Sequence, residues 1–198
     1  MKKILFFVIL SVLFIFGCGK ISFYQELGPY SFNVVPTGSV GANFWAEYGD
    51  SLPVDSLGIE YESISFDIAI TNKLGYSTKL TIVLSLTGEA GKGEIKIYSS
   101  TPSYINSNNE GKKFVYIVKD MLVLSNSTTN ITSTIYTTYS SEFLSNLSLT
   151  TNFWVAVNND IQGIFSVFQP NASQDVSVKV KVKGYKYLGG SPALDLVF

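Results

Sequence analysis

The residues of this chain that could do chemistry are few. Asp50 and Asp55 flank a polar stretch, and Glu60 and Glu62 stand two apart, which on a strand separates their carboxylates by roughly 7 Å. Paired carboxylates at such a distance could act as acid and base on a glycosidic bond. Acidic residues beside turns are also the ordinary solvated outcome, so a carboxylate-dependent glycoside hydrolase is the minor alternative. Trp45 and Trp154 could stack against sugar rings, because the apolar face of a pyranose packs on an aromatic ring; the competing reading puts a strand tryptophan in the core. Lys179, Lys181 and Lys183 occupy alternate positions and would project from one strand face toward an anionic lipid or polymer, or simply toward water. Asp50, or the run Asn158-Asn159-Asp160, could approach calcium from a loop, although no Asp-x-Asp-x-Asp-Gly series occurs.

The missing residue types exclude more than these suggest. The chain has no histidine, all fourteen of its basic residues are lysine, and Cys18 is its only cysteine. Ser-His-Asp and Cys-His mechanisms cannot be assembled from that set, and neither can the usual zinc ligand sets. The bidentate guanidinium fork that grips phosphate, carboxylate or guanine is absent too. With a formal net charge of −1, nucleic acid is not an expected partner, and no cofactor, metal or internal disulfide is expected.

The first eighteen residues speak about location. Lys2 and Lys3 precede an apolar run from Ile4 to Phe16 that only Ser11 interrupts, followed by Gly17 and Cys18. The run is too short to cross roughly 30 Å of hydrocarbon as a helix, and it has no polar face to suit a core helix. It has the layout of a cleavable signal. The order Ile15-Phe16-Gly17-Cys18 resembles the lipobox of bacterial lipoproteins. That resemblance implies cleavage between Gly17 and Cys18 and acylation of the Cys18 sulfur with diacylglycerol. Two or more acyl chains hold a protein on a bilayer for long periods, whereas one binds marginally. The implied location is extracytoplasmic and membrane-anchored. Gly19 in place of the Asp that favours inner-membrane retention leans toward the outer membrane or cell surface.

The chain beyond the signal must position everything else. Residues 18–29 are expected to form a short tether or first strand, and 30–198 a single domain. Tyr30 to Val35 reads as a strand, and Asn43 to Leu57, which lacks a sustained period, as an irregular connection. In Tyr61 to Thr71, Ile64, Phe66, Ile68 and Ile70 alternate with polar or small residues, and Leu80, Ile82 and Leu84 repeat the pattern. These two runs read as a hairpin turning at Asn72-Lys73-Leu74-Gly75. A short strand is expected around Ile95 and Ile97, and an exposed loop over Thr101 to Lys112. Lys113 to Leu124 predicts a strand covered on both faces. The Ser/Thr-rich tract after it has strand character at Ile131, Ile135 and Tyr136. Ser140 or Ser141 would then cap about two turns of helix with Phe143 and Leu147 on one face.

Strands are further expected at Phe153 to Val157, Ile164 to Phe168 and Leu194 to Phe198. In the clearest pattern of the chain, Val176, Val178, Val180 and Val182 oppose the lysine positions, and a bulge at Gly184 could reset the parity. The fold class is therefore all-β: an antiparallel two-sheet sandwich, immunoglobulin-like or jelly-roll-like, with one short helix. The functional expectation is a lipid-anchored, non-catalytic binding or structural module of the cell envelope. Its partners would be the membrane through Cys18 and an envelope protein or glycan. The alternative is a carbohydrate-binding surface protein that uses exposed Trp45 and Trp154.

Overall fold

The computed structural model describes residues 20–34, 43–52, 59–150, 152–161 and 173–187. Nine strands and one helix run through them: β1 (Lys20–Val34), β2 (Asn43–Ser51), β3 (Ile59–Asn72), β4 (Thr78–Ser85), β5 (Ile95–Tyr98), β6 (Phe114–Val123), β7 (Ser127–Tyr136), α1 (Thr137–Leu147), β8 (Asn152–Ile161) and β9 (Gln174–Tyr187). The signal segment with Gly17 and Cys18, and the strands expected at Ile164 to Phe168 and Leu194 to Phe198, lie outside the described residues.

The strands form two antiparallel sheets in the orders β1-β9-β3-β7 and β5-β2-β8-β4-β6. The wiring names the class. The outermost strands pair, β1 with β9, then β2 with β8, β3 with β7 and β4 with β6, successive pairs falling in opposite sheets. One long antiparallel hairpin rolled on itself gives this nesting, and the result is the eight-stranded jelly roll with β5 added at an edge. The all-β two-sheet sandwich with one short helix is thus the observed architecture.

Alternation placed the core correctly. Ile64, Phe66, Ile68, Ile70, Leu80, Ile82, Leu84, Val178 and Val180 are all buried between the sheets. Apolar burial of this kind contributes about 25 cal/mol per Å², and each of these side chains is supplied by a period of two. Helix α1 closes one end with Phe143, Leu144 and Leu147. It has eleven residues, about three turns rather than two, and it starts ahead of the expected serine cap.

The pairing of strands departs from expectation. β3 and β4 are not a hairpin: β3 pairs with β7 and β9, and β4 with β6 and β8, in the opposite sheet. Residues 73–77 cross between the layers, and Asn72 holds the crossing. Its amide donates to the carbonyls of Tyr76 (3.1 Å) and Leu124 (3.0 Å), and its Oδ1 accepts from the N–H of Leu74 at 2.9 Å. Beside it, buried Gln174 donates to Thr78 Oγ1 at 3.0 Å, joining β9 to β4 across the layers.

Two further expectations are corrected. Asn43 to Ser51 is a regular strand rather than a loop, while the stretch expected as a tether or first strand is strand from Lys20 onward and runs on through Tyr30 as one element, β1. In β1 the pairing with β9 shifts register between Leu27 and Tyr30, which interrupts the alternation there. Gly184 makes no bulge in β9. The register shift sits on β3 between Tyr61 and Ser63, so Glu62 is the extra residue. Gly184 serves close approach instead: a Cβ there would stand 2.4 Å from the backbone oxygen of Glu60.

Candidate functional site

The outer face of the five-stranded sheet is covered, and a carboxylate organises the cover. On β2, Trp45, Glu47 and Gly49 point away from the core, and on β8 so do Trp154, Ala156 and Asn158, because Trp45 pairs with Asn158 and Gly49 with Trp154. The long connection between β4 and β6 folds back over them. Glu47 is fully buried beneath it. Its Oε1 accepts from the N–H groups of Glu89 (2.8 Å) and Ala90 (2.6 Å) and from the Tyr98 hydroxyl (3.0 Å), while its Oε2 accepts from the Tyr104 hydroxyl. A buried charge is tolerable only when its lone pairs are satisfied, and here they are. At Gly49 a Cβ would stand 2.5 Å from the Ala90 carbonyl oxygen, so glycine lets the connection lie directly on the strand.

A second apolar cluster fills the space between this connection and the sheet. Trp45, Val83, Tyr104, Ile105, Phe114 and Ala156 form it, with Phe114 edge-on to Tyr116 at 5.3 Å. The expected exposed loop at Thr101 to Lys112 therefore buries Tyr104 and Ile105, whose apolar surface has the outer face to pack on. The same cover decides the fate of the two tryptophans. They share a face, but Trp45 is buried, and the indole of half-buried Trp154 donates to the Ala90 carbonyl at 2.9 Å. They do not form an exposed stacking platform.

Sequence reasoning missed Glu47 altogether. A signal was present: an acidic residue in phase with Trp45 and Gly49 on a strand whose other face carries Ala46 and Tyr48.

The outer face of the four-stranded sheet carries the lysine ladder. Lys179, Lys181 and Lys183 lie on β9, an inner strand, and not at an edge. Each lysine reaches a carboxylate on a neighbouring strand: Lys179 with Glu26, Lys181 with Asp67, and Lys183 with Glu62 at 3.0 Å. The bond from Lys179, together with one from the Tyr24 hydroxyl at 2.7 Å, holds the Glu26 carboxyl below its ordinary range. The bond to Asp67 raises Lys181. Partly exposed pairs of this kind gain little against water and lose side-chain freedom, so the alternating charges set the character of the face more than its stability. Pro29, Asp67, Asn130, Thr132, Ser177 and Lys179 line an open groove of about 560 Å³ on this face.

The remaining carboxylates do not converge. Asp50 accepts from the Tyr30 hydroxyl and the Ser51 N–H, both at 2.7 Å, and Glu60 pairs with Lys20 at 3.1 Å. Asp55 lies outside the described residues. Asn158, Asn159 and Asp160 are not in a loop but inside β8, opposite Trp45, Phe44 and Asn43. Among the described residues no three acidic or metal-ligating side chains gather around one point.

Three tyrosines are held protonated by this arrangement. Burial, and then the carboxylate each one donates to, pushes the hydroxyls of Tyr30, Tyr98 and Tyr104 well above the usual tyrosine value. The folded state therefore holds these protons more tightly than the unfolded chain does. The stability they contribute is fully present below about pH 10 and is lost as pH rises beyond it. In an alkaline titration followed by ultraviolet absorbance, at least three of the twelve tyrosines should ionise only together with loss of the strand circular-dichroism signal. Ionisation of all twelve before that loss would contradict the assigned bonds.

No protein-family model matches the chain, and no curated protein matches it. Among solved structures it is similar to a chain of the T13 IBDV viral particle, at 10% identity and a TM-score of 0.42 over 87% of this chain and 32% of that one. The infectious bursal disease virus VP2 subviral particle gives 10% identity and a TM-score of 0.37, over 87% and 34%. Desmodium yellow mottle tymovirus gives 10% and 0.27, over 84% and 89%. This chain spans about a third of the length of the bursal-virus chains it matches.

Proposed function

We infer that this protein is a lipid-anchored, extracytoplasmic jelly-roll lipoprotein that serves as a non-catalytic binding or structural module of the cell envelope. The observation that carries the reading is the order Ile15-Phe16-Gly17-Cys18 behind a basic start and an apolar run. The non-catalytic part is supported by the use made of the carboxylates. Glu26, Glu47, Asp50, Glu60, Glu62 and Asp67 are each engaged by a separate lysine, by a tyrosine or by backbone N–H groups, and these six do not gather in one cleft. The jelly roll supports a structural module, since the polar groups on its two outer faces are spent on holding those faces together.

The test is acylation in a bacterial host with radiolabelled fatty acid. The wild-type chain should take up label and fractionate with membranes, and Cys18→Ser should lose the label and move to the soluble fraction. An unlabelled wild-type chain, or an undiminished membrane fraction after the substitution, would overturn the reading.

A further inference from the structure

We propose that one end of the sandwich, where β1 begins and β9 finishes, rests directly on the lipid headgroups, with Ile21 and Leu149 seated at the interface. The proposal builds on acylation of Cys18 and adds an orientation to it. Only Gly19 stands between Cys18 and Lys20. The two steps of chain span at most about 7 Å. The polar layer on each side of a bilayer is itself roughly 5–8 Å deep, so the tether is no longer than the headgroups are thick.

Lys20 has little freedom to swing away from the body. It is already paired in the sheet, opposite Tyr187, and Ile21 is opposite Lys186. The Lys20 ammonium bonds Glu60 at 3.1 Å and lies 5.6 Å from the centre of the Tyr185 ring. Wherever the Cys18 sulfur is held, this end of the sheet is held beside it.

Topology decides what else lies at that end. β3 begins there, with Ile59 opposite Lys186, and β7 finishes there, with Tyr136 opposite Ser63. Helix α1 comes directly after Tyr136, and Leu149 just after the helix, before β8 starts at Asn152 opposite Ser51. Leu149 is 78% exposed and Ile21 51%, although Leu147, two residues before the first, is core and Phe23, two residues after the second, packs against the core. Lys20, Lys112, Lys113 and Lys186 are mixed at this end with Glu60, Glu110 and Glu142, the Lys112 carbonyl accepting from the Asn146 amide of α1 at 3.1 Å. Lysine stems can lie along an apolar surface while their ammonium groups reach phosphate oxygens. The opposite end carries exposed Leu122 and Leu124, about 45 Å away along β1 at roughly 3.3 Å per residue. The length of the tether selects the first end for the bilayer.

The experiment uses the full lipidated chain. Because the sulfur of Cys18 is consumed by acylation, a thiol introduced by Leu149→Cys or by Leu124→Cys is the only one free to take a nitroxide label. Each labelled protein is reconstituted in vesicles of phosphatidylethanolamine and phosphatidylglycerol, and collisions with oxygen and with a water-soluble nickel complex are compared. The label at position 149 is expected to be several-fold less accessible to nickel and more accessible to oxygen than the label at 124. Equal accessibility of the two labels, with the acyl mass present on Cys18, would overturn the orientation and leave the lipoprotein reading standing. Absence of the acyl mass would overturn both.

Discussion

Replacing Glu47 with alanine is expected to destabilise the fold by about 3–5 kcal/mol, the range for removing one partner from a buried charged network. Four donors converge on that carboxylate: the N–H groups of Glu89 and Ala90 and the hydroxyls of Tyr98 and Tyr104. Alanine would leave all four without an acceptor and open a void against a sheet face, and each buried donor left unpaired costs about 1–3 kcal/mol. Glu47→Gln should cost clearly less. Its carbonyl oxygen can keep the three donors on the Oε1 side, and the Tyr104 hydroxyl can rotate to accept from the new amide. Denaturant unfolding of the two variants checks the difference. The connection between β4 and β6 should also gain hydrogen exchange in the alanine variant, because this carboxylate is what ties it to β2. Equal stability of wild type and Glu47→Ala would mean that the network does not hold the cover down.

The second large effect contrasts two neighbours on β3. Phe66 is fully buried and pairs across to Val180, while Asp67 faces out and meets Lys181. Phe66→Ala should cost about 3–5 kcal/mol through lost burial and the cavity left behind. Asp67→Ala should be close to neutral, because the pair it breaks is partly exposed and screened by water. Denaturant midpoints for the pair test the inward and outward faces of the strand at single-residue resolution. A register one residue different would exchange the two results.

Phe66 and Glu47 also differ in how plainly the sequence announces them. Phe66 was legible, because an apolar residue every second position along β3, β4 and β9 has one physical meaning, a face turned to the core. Glu47 was not, because β2 is covered on both faces. Burial on both sides erases alternation, and the strand then reads like a connection. Trp154 was legible as a strand residue, whereas Trp45 fell in the stretch that reads as a connection; that the two share a face follows from the pairing of β2 with β8, and the depth at which they lie depends on the distant segment between β4 and β6. The lysines at 179, 181 and 183 were correctly placed on one face of β9. Their engagement with Glu26, Asp67 and Glu62 became visible only once β1 and β3 were known to flank that strand.

The residues alone determined three things about this protein: the chemistry closed to it, since imidazole and guanidinium groups are absent; the layered all-β class; and, for the clearly alternating strands, which side chains turn inward. Tertiary structure decided strand partnership, sending β3 and β4 to opposite layers, and it decided that the segment between β4 and β6 would fold back as a cover. The reason is physical. A period of two records only whether a side chain meets core or water, and it is the same whichever strand lies alongside. Partnership depends on contacts between residues far apart in the chain, where Asn72, Gln174 and Glu47 act by closing distances that no local pattern encodes.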